Sequence, residues 1–210
     1  MSKKITIIDY GVGNILSIKN AINYMGEDVN YSNDPETILN STHVILPGVG
    51  SFPSAMEKLQ KLNLVECIKK ISNSGIYMLG ICLGMQLLFK KSNEQKISNG
   101  LALLDGEIEK ISNISGTNSI KVPHIGWNSL IIDNQHMNPL LKNISKEDFF
   151  YFVHSFVLKE AKKNYLTCYT EYSNISFPSL INYKNIYGCQ FHPERSGKSG
   201  IKIINNFLSL

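Results

Sequence analysis

Strand-length apolar runs alternate with helix-period segments through the first ninety residues, and this alternation narrows the possible folds more than any other property of the chain. Ile5 to Asp9, His43 to Leu46 and Ile76 to Cys82 are runs of strand length. Between them, Ile15 to Met25 puts Ile15, Ile18, Ile22 and Met25 on one helical face, and Leu59 to Ile71 does the same with Leu62, Val65 and Ile68. Leu83 to Lys91 reads as a further helix. Such alternation builds βαβ units, whose parallel strands are covered on both faces and so are apolar along their whole length. After residue 100 the pattern changes. Gly106 to Ile111, Ser129 to Ile132, Phe149 to His154, Leu166 to Tyr172, Ser179 to Tyr183 and Ile186 to Gln190 follow one another with turns between, which predicts antiparallel strands added to the same unit. A helix from Gly200 to Leu208 closes the chain, and the Asn- and Ser-rich residues 112–119 are expected as a loop. With no internal repeat, linker or low-complexity tract in 210 residues, the expectation is one α/β domain over 1–210. Its centre should be a mostly parallel sheet with flanking helices and added antiparallel strands.

Composition removes several classes of function. The 21 Lys and Arg against 17 Asp and Glu give a net charge of only +4, and no basic run is interleaved with aromatics, so a nucleic-acid partner is not expected. The N-terminal apolar run ends at Asp9, too short for a signal peptide, and no stretch approaches the roughly 18 apolar residues of a membrane span. A cytoplasmic protein without a membrane partner is expected. Cys67, Cys82, Cys168 and Cys189 include no C-x-x-C pair, so thiols are expected rather than disulfides or a zinc site. Gly11-Val12-Gly13-Asn14 and Pro47-Gly48-Val49-Gly50 both lack the third glycine of a dinucleotide fingerprint, and there is no Walker A sequence. Neither a metal nor a cofactor is expected.

One cysteine stands in a distinctive context. Gly80-Ile81-Cys82-Leu83-Gly84 follows an apolar strand and opens a helix, the setting of a nucleophile elbow. In such a turn a Cβ at either flanking position would meet neighbouring backbone, and the middle side chain is pushed out at the C-terminal edge of the sheet, where α/β folds bind ligands. The helix N-terminus favours a thiolate, and the Leu83 N–H can point at a developing oxyanion. Taken alone, the pattern fits a buried cysteine beside packing glycines equally well. A thiol nucleophile needs a base, and the base an orienting group. Of His43, His124, His136, His154 and His192, His192 ends a strand at Gln190-Phe191-His192-Pro193-Glu194, and a turn can bring the Glu194 carboxylate to its ring. By itself this also fits a surface turn, and His154, at the end of another apolar strand, is the competing base.

Together these pieces resemble the class I glutamine amidotransferases. Gly80-Ile81-Cys82-Leu83-Gly84-Met85-Gln86 and Gln190-Phe191-His192-Pro193-Glu194 carry the class signature. Asp9-Tyr10-Gly11-Val12-Gly13-Asn14, Leu46-Pro47-Gly48-Val49-Gly50, Pro123-His124-Ile125-Gly126-Trp127-Asn128 and Tyr151-Phe152-Val153-His154-Ser155 are similar to the glutaminase subunits of imidazole glycerol phosphate synthases. The resemblance implies hydrolysis of L-glutamine through a Cys82–His192–Glu194 triad. It implies an oxyanion hole from Leu83 and the strand at Val49 and Gly50. It implies a glutamine site formed by Gly50, Gln86, Glu94, Ser155 and Phe156. It further implies a heterodimer with a (β/α)₈-barrel cyclase that receives the ammonia for histidine synthesis; some relatives instead serve sugar amidotransferases of surface-glycan synthesis. Three places depart from the family pattern: Arg195 follows Glu194 where lysine is usual, Phe156 follows Ser155 where tyrosine is common, and Lys90-Lys91 replaces an often acidic stretch. Trp127, the only tryptophan, and Arg195 are the expected partner contacts, although a lone tryptophan is more often a core residue.

Overall fold

The computed structural model describes residues 3–115, 120–132 and 138–210. His136 and residues 116–119 of the loop expected over 112–119 lie outside the described residues, and the first half of that stretch is a short helix rather than a loop. The chain begins β1 (Ile5–Ile8), α1 (Ile15–Tyr24), β2 (Val29–Ser32), α2 (Pro35–Leu39), β3 (His43–Leu46), α3 (Phe52–Lys61), α4 (Leu64–Ile71), β4 (Tyr77–Ile81) and α5 (Leu83–Leu87). It continues with β5 (Phe89–Ser92), β6 (Ser98–Asn99), β7 (Leu104–Lys110), α6 (Ile111–Ser115), β8 (His124–Ser129), β9 (Phe149–His154) and β10 (Phe156–Leu158). It ends with β11 (Leu166–Tyr172), β12 (Ile175–Tyr183), β13 (Ile186–Cys189) and α7 (Gly197–Leu208).

The main sheet has seven strands in the order β11-β12-β13-β4-β3-β1-β2. β2, β1, β3, β4 and β13 run parallel, and β12 and β11 extend the edge antiparallel, as the sequence pattern predicts. Strand alternation divides the core in two. Ile7, Ile45, Leu79 and Ile81 face the layer of α1 and α7, while Ile8, Val44, Leu46 and Met78 face α3, α4 and α5. Among the described residues no helix is long and apolar enough to cross a membrane.

Four expectations need correction. The later strands do not all join the main sheet: β10, β7, β5 and β6 form a second sheet, and β8 and β9 a two-stranded ribbon. The helix expected over Leu83 to Lys91 stops at Leu87. Backbone N–H groups of Leu101 and Ala102 take the Leu87 and Phe89 carbonyls, so a strand replaces the second helical half. The helix expected over Leu59 to Ile71 is two helices, because Asn63 adopts the left-handed region at φ 56, which asparagine tolerates. The strand expected over Ser129 to Ile132 lies before that stretch, at His124–Ser129, and Ile131 contributes only an isolated bridge to Tyr169. The half-exposed β2 and the Asp34-capped α2 offered no apolar run to betray them.

Candidate active site

Cys82 sits where β4 turns into α5, with φ 53 and ψ −110, a conformation that L side chains seldom adopt. The surrounding structure holds it there. Its N–H donates to the Cys189 carbonyl at 2.7 Å, continuing the β4–β13 pairing one residue past the strand. A Cβ on Gly84 would stand 1.9 Å from the Leu46 carbonyl oxygen, and one on Gly80 2.7 Å from the Met85 nitrogen. The two glycines of the motif therefore permit α5 to press against the ends of β3 and β4. Strain of this kind is retained where neighbours over-determine it, and it concentrates at functional sites.

His192 and Glu194 meet as the sequence suggests. His192 follows β13, and Pro193–Arg195 forms a 3₁₀ turn that swings Glu194 back under the ring. His192 Nδ1 lies 2.8 Å from Glu194 Oε1, and both side chains are almost fully buried. Burial alone would lower the ring's pKa. The facing Cys82 sulfur and the Glu194 carboxylate outweigh it and push the value up to about 10. The other ring nitrogen, Nε2, closes no hydrogen bond, and neither does Glu194 Oε2. An unpartnered buried nitrogen calls for an explanation, and here it is aimed at the sulfur of the elbow. The competing base, His154, is engaged elsewhere: Nε2 meets His124 Nδ1 at 3.0 Å and Nδ1 meets the Phe156 carbonyl at 3.1 Å. Burial, followed by the neighbouring His124, lowers its pKa to about 3. The Cys67 and Cys189 thiols are pushed up by burial, which makes them poor nucleophiles.

A cavity of about 320 Å³ opens above the elbow. Cys82, Leu83 and His192 line it together with Val49, Gly50, Gln86, Glu94, Pro123, Val153, His154, Ser155 and Phe156. Every residue expected to hold glutamine or an oxyanion thus lines one cavity. Their hydrogen bonds refine the picture. Gln86 is buried and spends its amide N–H₂ on the Phe156 carbonyl at 2.9 Å and Gln190 Oε1 at 3.0 Å. Glu94 Oε2 accepts from the Phe52 N–H at 2.7 Å, and burial raises its carboxyl pKa. Sequence reasoning assigned no role to Gln190, whose amide nitrogen lies 3.6 Å from Cys82 Sγ, or to the Val153 carbonyl at 3.9 Å. Gln190 is visible inside the histidine motif, two residues before the base. The Val153 carbonyl has no sequence signal, because it is backbone.

Trp127 and Arg195 lie outside the cavity. Trp127 is 54% exposed on β8, its ring tilted against Tyr151 at 5.7 Å, so it is not a core residue. Arg195 reaches the β1–α1 turn. With the Asn14 amide oriented to satisfy its neighbours, its oxygen accepts from Arg195 Nε and Nη2, each at 3.1 Å.

Residues 6–210 match the family model described as glutamine amidotransferase class-I. The chain belongs to that family. This amidotransferase is 43% identical over 203 residues to imidazole glycerol phosphate synthase subunit HisH of Caldanaerobacter subterraneus subsp. tengcongensis, covering 97% of this chain and 96% of that one. It is also 43% identical over 206 residues to the HisH subunit of Lactococcus lactis subsp. lactis, covering 98% of each. At this identity and coverage it is a member of the HisH branch. Solved structures agree at the level of fold. A crystal structure of a glutamine amidotransferase superposes with a TM-score of 0.72 at 15% identity, covering 97% of each chain. The structure of PurLQS from Thermotoga maritima gives 0.72 at 20%, covering 100% of this chain and 99% of that one.

Proposed function

We propose that this amidotransferase is the glutaminase subunit of an imidazole glycerol phosphate synthase, hydrolysing L-glutamine to glutamate and ammonia. The observation that carries the reading is His192, backed by Glu194 at 2.8 Å, with Nε2 free of other partners and directed at the strained Cys82 in the wall of a cavity that Gln86 and Glu94 also line. Cys82 sulfur attacks the side-chain amide carbon of glutamine. The carbonyl oxygen takes the negative charge, stabilised by the Leu83 N–H and a donor from the Val49–Gly50 strand. The tetrahedral intermediate collapses as His192 Nε2–H protonates the leaving nitrogen, releasing ammonia and leaving a glutamyl thioester. His192, now neutral, takes a proton from water, which attacks the thioester carbon and frees glutamate and Cys82. Glu194 keeps Nδ1 protonated and the ring oriented throughout. The Glu94 carboxylate and the Ser155 and Phe156 segment hold the amino-acid end of the substrate.

The ammonia passes to a partner, a (β/α)₈-barrel cyclase in a heterodimer of the histidine pathway, in keeping with a cytoplasmic location. The HisH names of the relatives support this pathway and do not favour a surface-glycan role. Cys82→Ala is expected to abolish glutamine-dependent synthesis by the complex while leaving ammonium-dependent synthesis intact, because free ammonia bypasses the thioester. Steady-state assays with each nitrogen source decide it, and glutamine hydrolysis retained by the variant would remove Cys82 as nucleophile.

A further inference from the structure

The Pro47–Gly50 loop is divided mechanically. Pro47 and Gly48 are buried, whereas Val49 and Gly50 are exposed. A Cβ on Gly48 would stand 2.5 Å from the Gly84 nitrogen and 2.8 Å from Leu83 Cβ, so this half lies hard against the elbow. At Gly50, with φ +98, nothing lies within 4 Å of the same construction. The elbow alone supports the buried half from one side. From the other side comes Tyr10, at the end of β1, only 1% exposed, whose Oη donates to the Pro47 carbonyl at 2.7 Å. The turn that carries Tyr10 is itself held. A Cβ on Gly13 would meet Pro47 Cβ at 2.7 Å, and Lys58 Nζ of α3 donates to the Gly11 carbonyl at 3.0 Å. Burial first, and the nearby Cys82 second, push the Tyr10 hydroxyl far above its ordinary pKa, so it remains a donor.

The peptide unit is planar, so fixing the Pro47 carbonyl oxygen also fixes the direction of the Gly48 N–H. We infer that Tyr10 is a positioning residue for glutamine hydrolysis: its hydroxyl pins the Pro47–Gly48 peptide against the elbow and confines any rotation of the loop to the Val49 and Gly50 peptides. The inference rests on the glutaminase reading for its kinetic consequence, but the pinning itself does not. A donor aimed at an oxyanion acts in the transition state rather than on bound substrate, so a slackened loop lowers kcat and spares KM.

The test is Tyr10→Phe, which removes one oxygen from an otherwise unchanged ring. Glutamine hydrolysis is measured in the complex with the cyclase partner, and amide hydrogen exchange is measured on the full chain. The expected result is a kcat about tenfold lower with KM for glutamine unchanged, and faster exchange confined to the Gly48 amide and its neighbours. Wild-type kcat with unchanged exchange overturns the inference. So does a change in KM alone. Exchange accelerated throughout the main sheet also overturns it, since the hydroxyl would then serve the fold rather than the loop. If the wild-type complex itself hydrolyses no glutamine, the glutaminase reading fails, and the exchange result still decides whether Tyr10 pins the loop.

Discussion

At the scale of single residues, the site joins groups that the sequence shows with groups that it hides. Cys82 and His192 were legible because their constraints are local: glycines at ±2 around the cysteine, and a proline that ends the strand beside the histidine. The contacts of Gln190, at 3.6 Å from Cys82 Sγ, and of Tyr10, at 2.7 Å from the Pro47 carbonyl, were not, because those partners are 108 and 37 residues away along the chain. The His192 ring yields a prediction at this scale. Its folded pKa of about 10 exceeds the ordinary 6.5. Between those values the folded protein binds a proton that the unfolded chain does not, so the ring's contribution to stability is complete below pH 6.5 and is lost as pH rises through about 10. The melting temperature of the wild type, measured relative to His192→Gln, should fall across this window and level off below it. A difference independent of pH from 6.5 to 10 would show that His192 is neutral in the folded protein.

At the scale of elements, local pattern succeeded where an element is covered on both sides and failed where tertiary contacts choose between options. β1, β3 and β4 are buried almost throughout and mostly apolar because helices cover both faces, and their runs were plain. Phe89 to Ser92 has helix-compatible residues, yet pairing with β7 makes it a strand. The junction of β4 and α5 is the element on which the site depends, and its tolerance can be measured. Gly84→Ala would place a methyl 1.9 Å from the Leu46 carbonyl oxygen, a rigid backbone atom that cannot step aside as a side chain can. Overpacking of this kind costs about 1–3 kcal/mol or more, which for a chain of this size lowers the melting temperature by roughly 2–4 °C per kcal/mol. Gly126→Ala, where nothing lies within 4 Å, should melt like the wild type. Equal melting of the two variants would mean that α5 can withdraw from β3 at no cost.

At the scale of the whole molecule, the exposed apolar surface bears on assembly. The β8–β9 ribbon turns Phe150 and Phe152 into the core and leaves Ile125, Trp127 and Phe149 exposed by 59%, 54% and 51%. Register places Ile125 opposite Val153, whose segment lines the catalytic cavity, and Trp127 opposite Tyr151. The apolar face thus runs from the mouth of the site outward, and an ammonia-accepting partner docked on it would cover both. Large aromatics near the centre of an interface carry a disproportionate share of binding energy. Trp127→Ala should therefore weaken association with the cyclase partner by about 2 kcal/mol or more. Because the residue is half exposed and its ring lies tilted against the Tyr151 ring, the melting temperature of the isolated chain should hardly change. Titration calorimetry against the partner, run beside a thermal melt, separates the two effects. Unchanged affinity with a lowered melting temperature would place the role of Trp127 within this chain and move the docking face elsewhere.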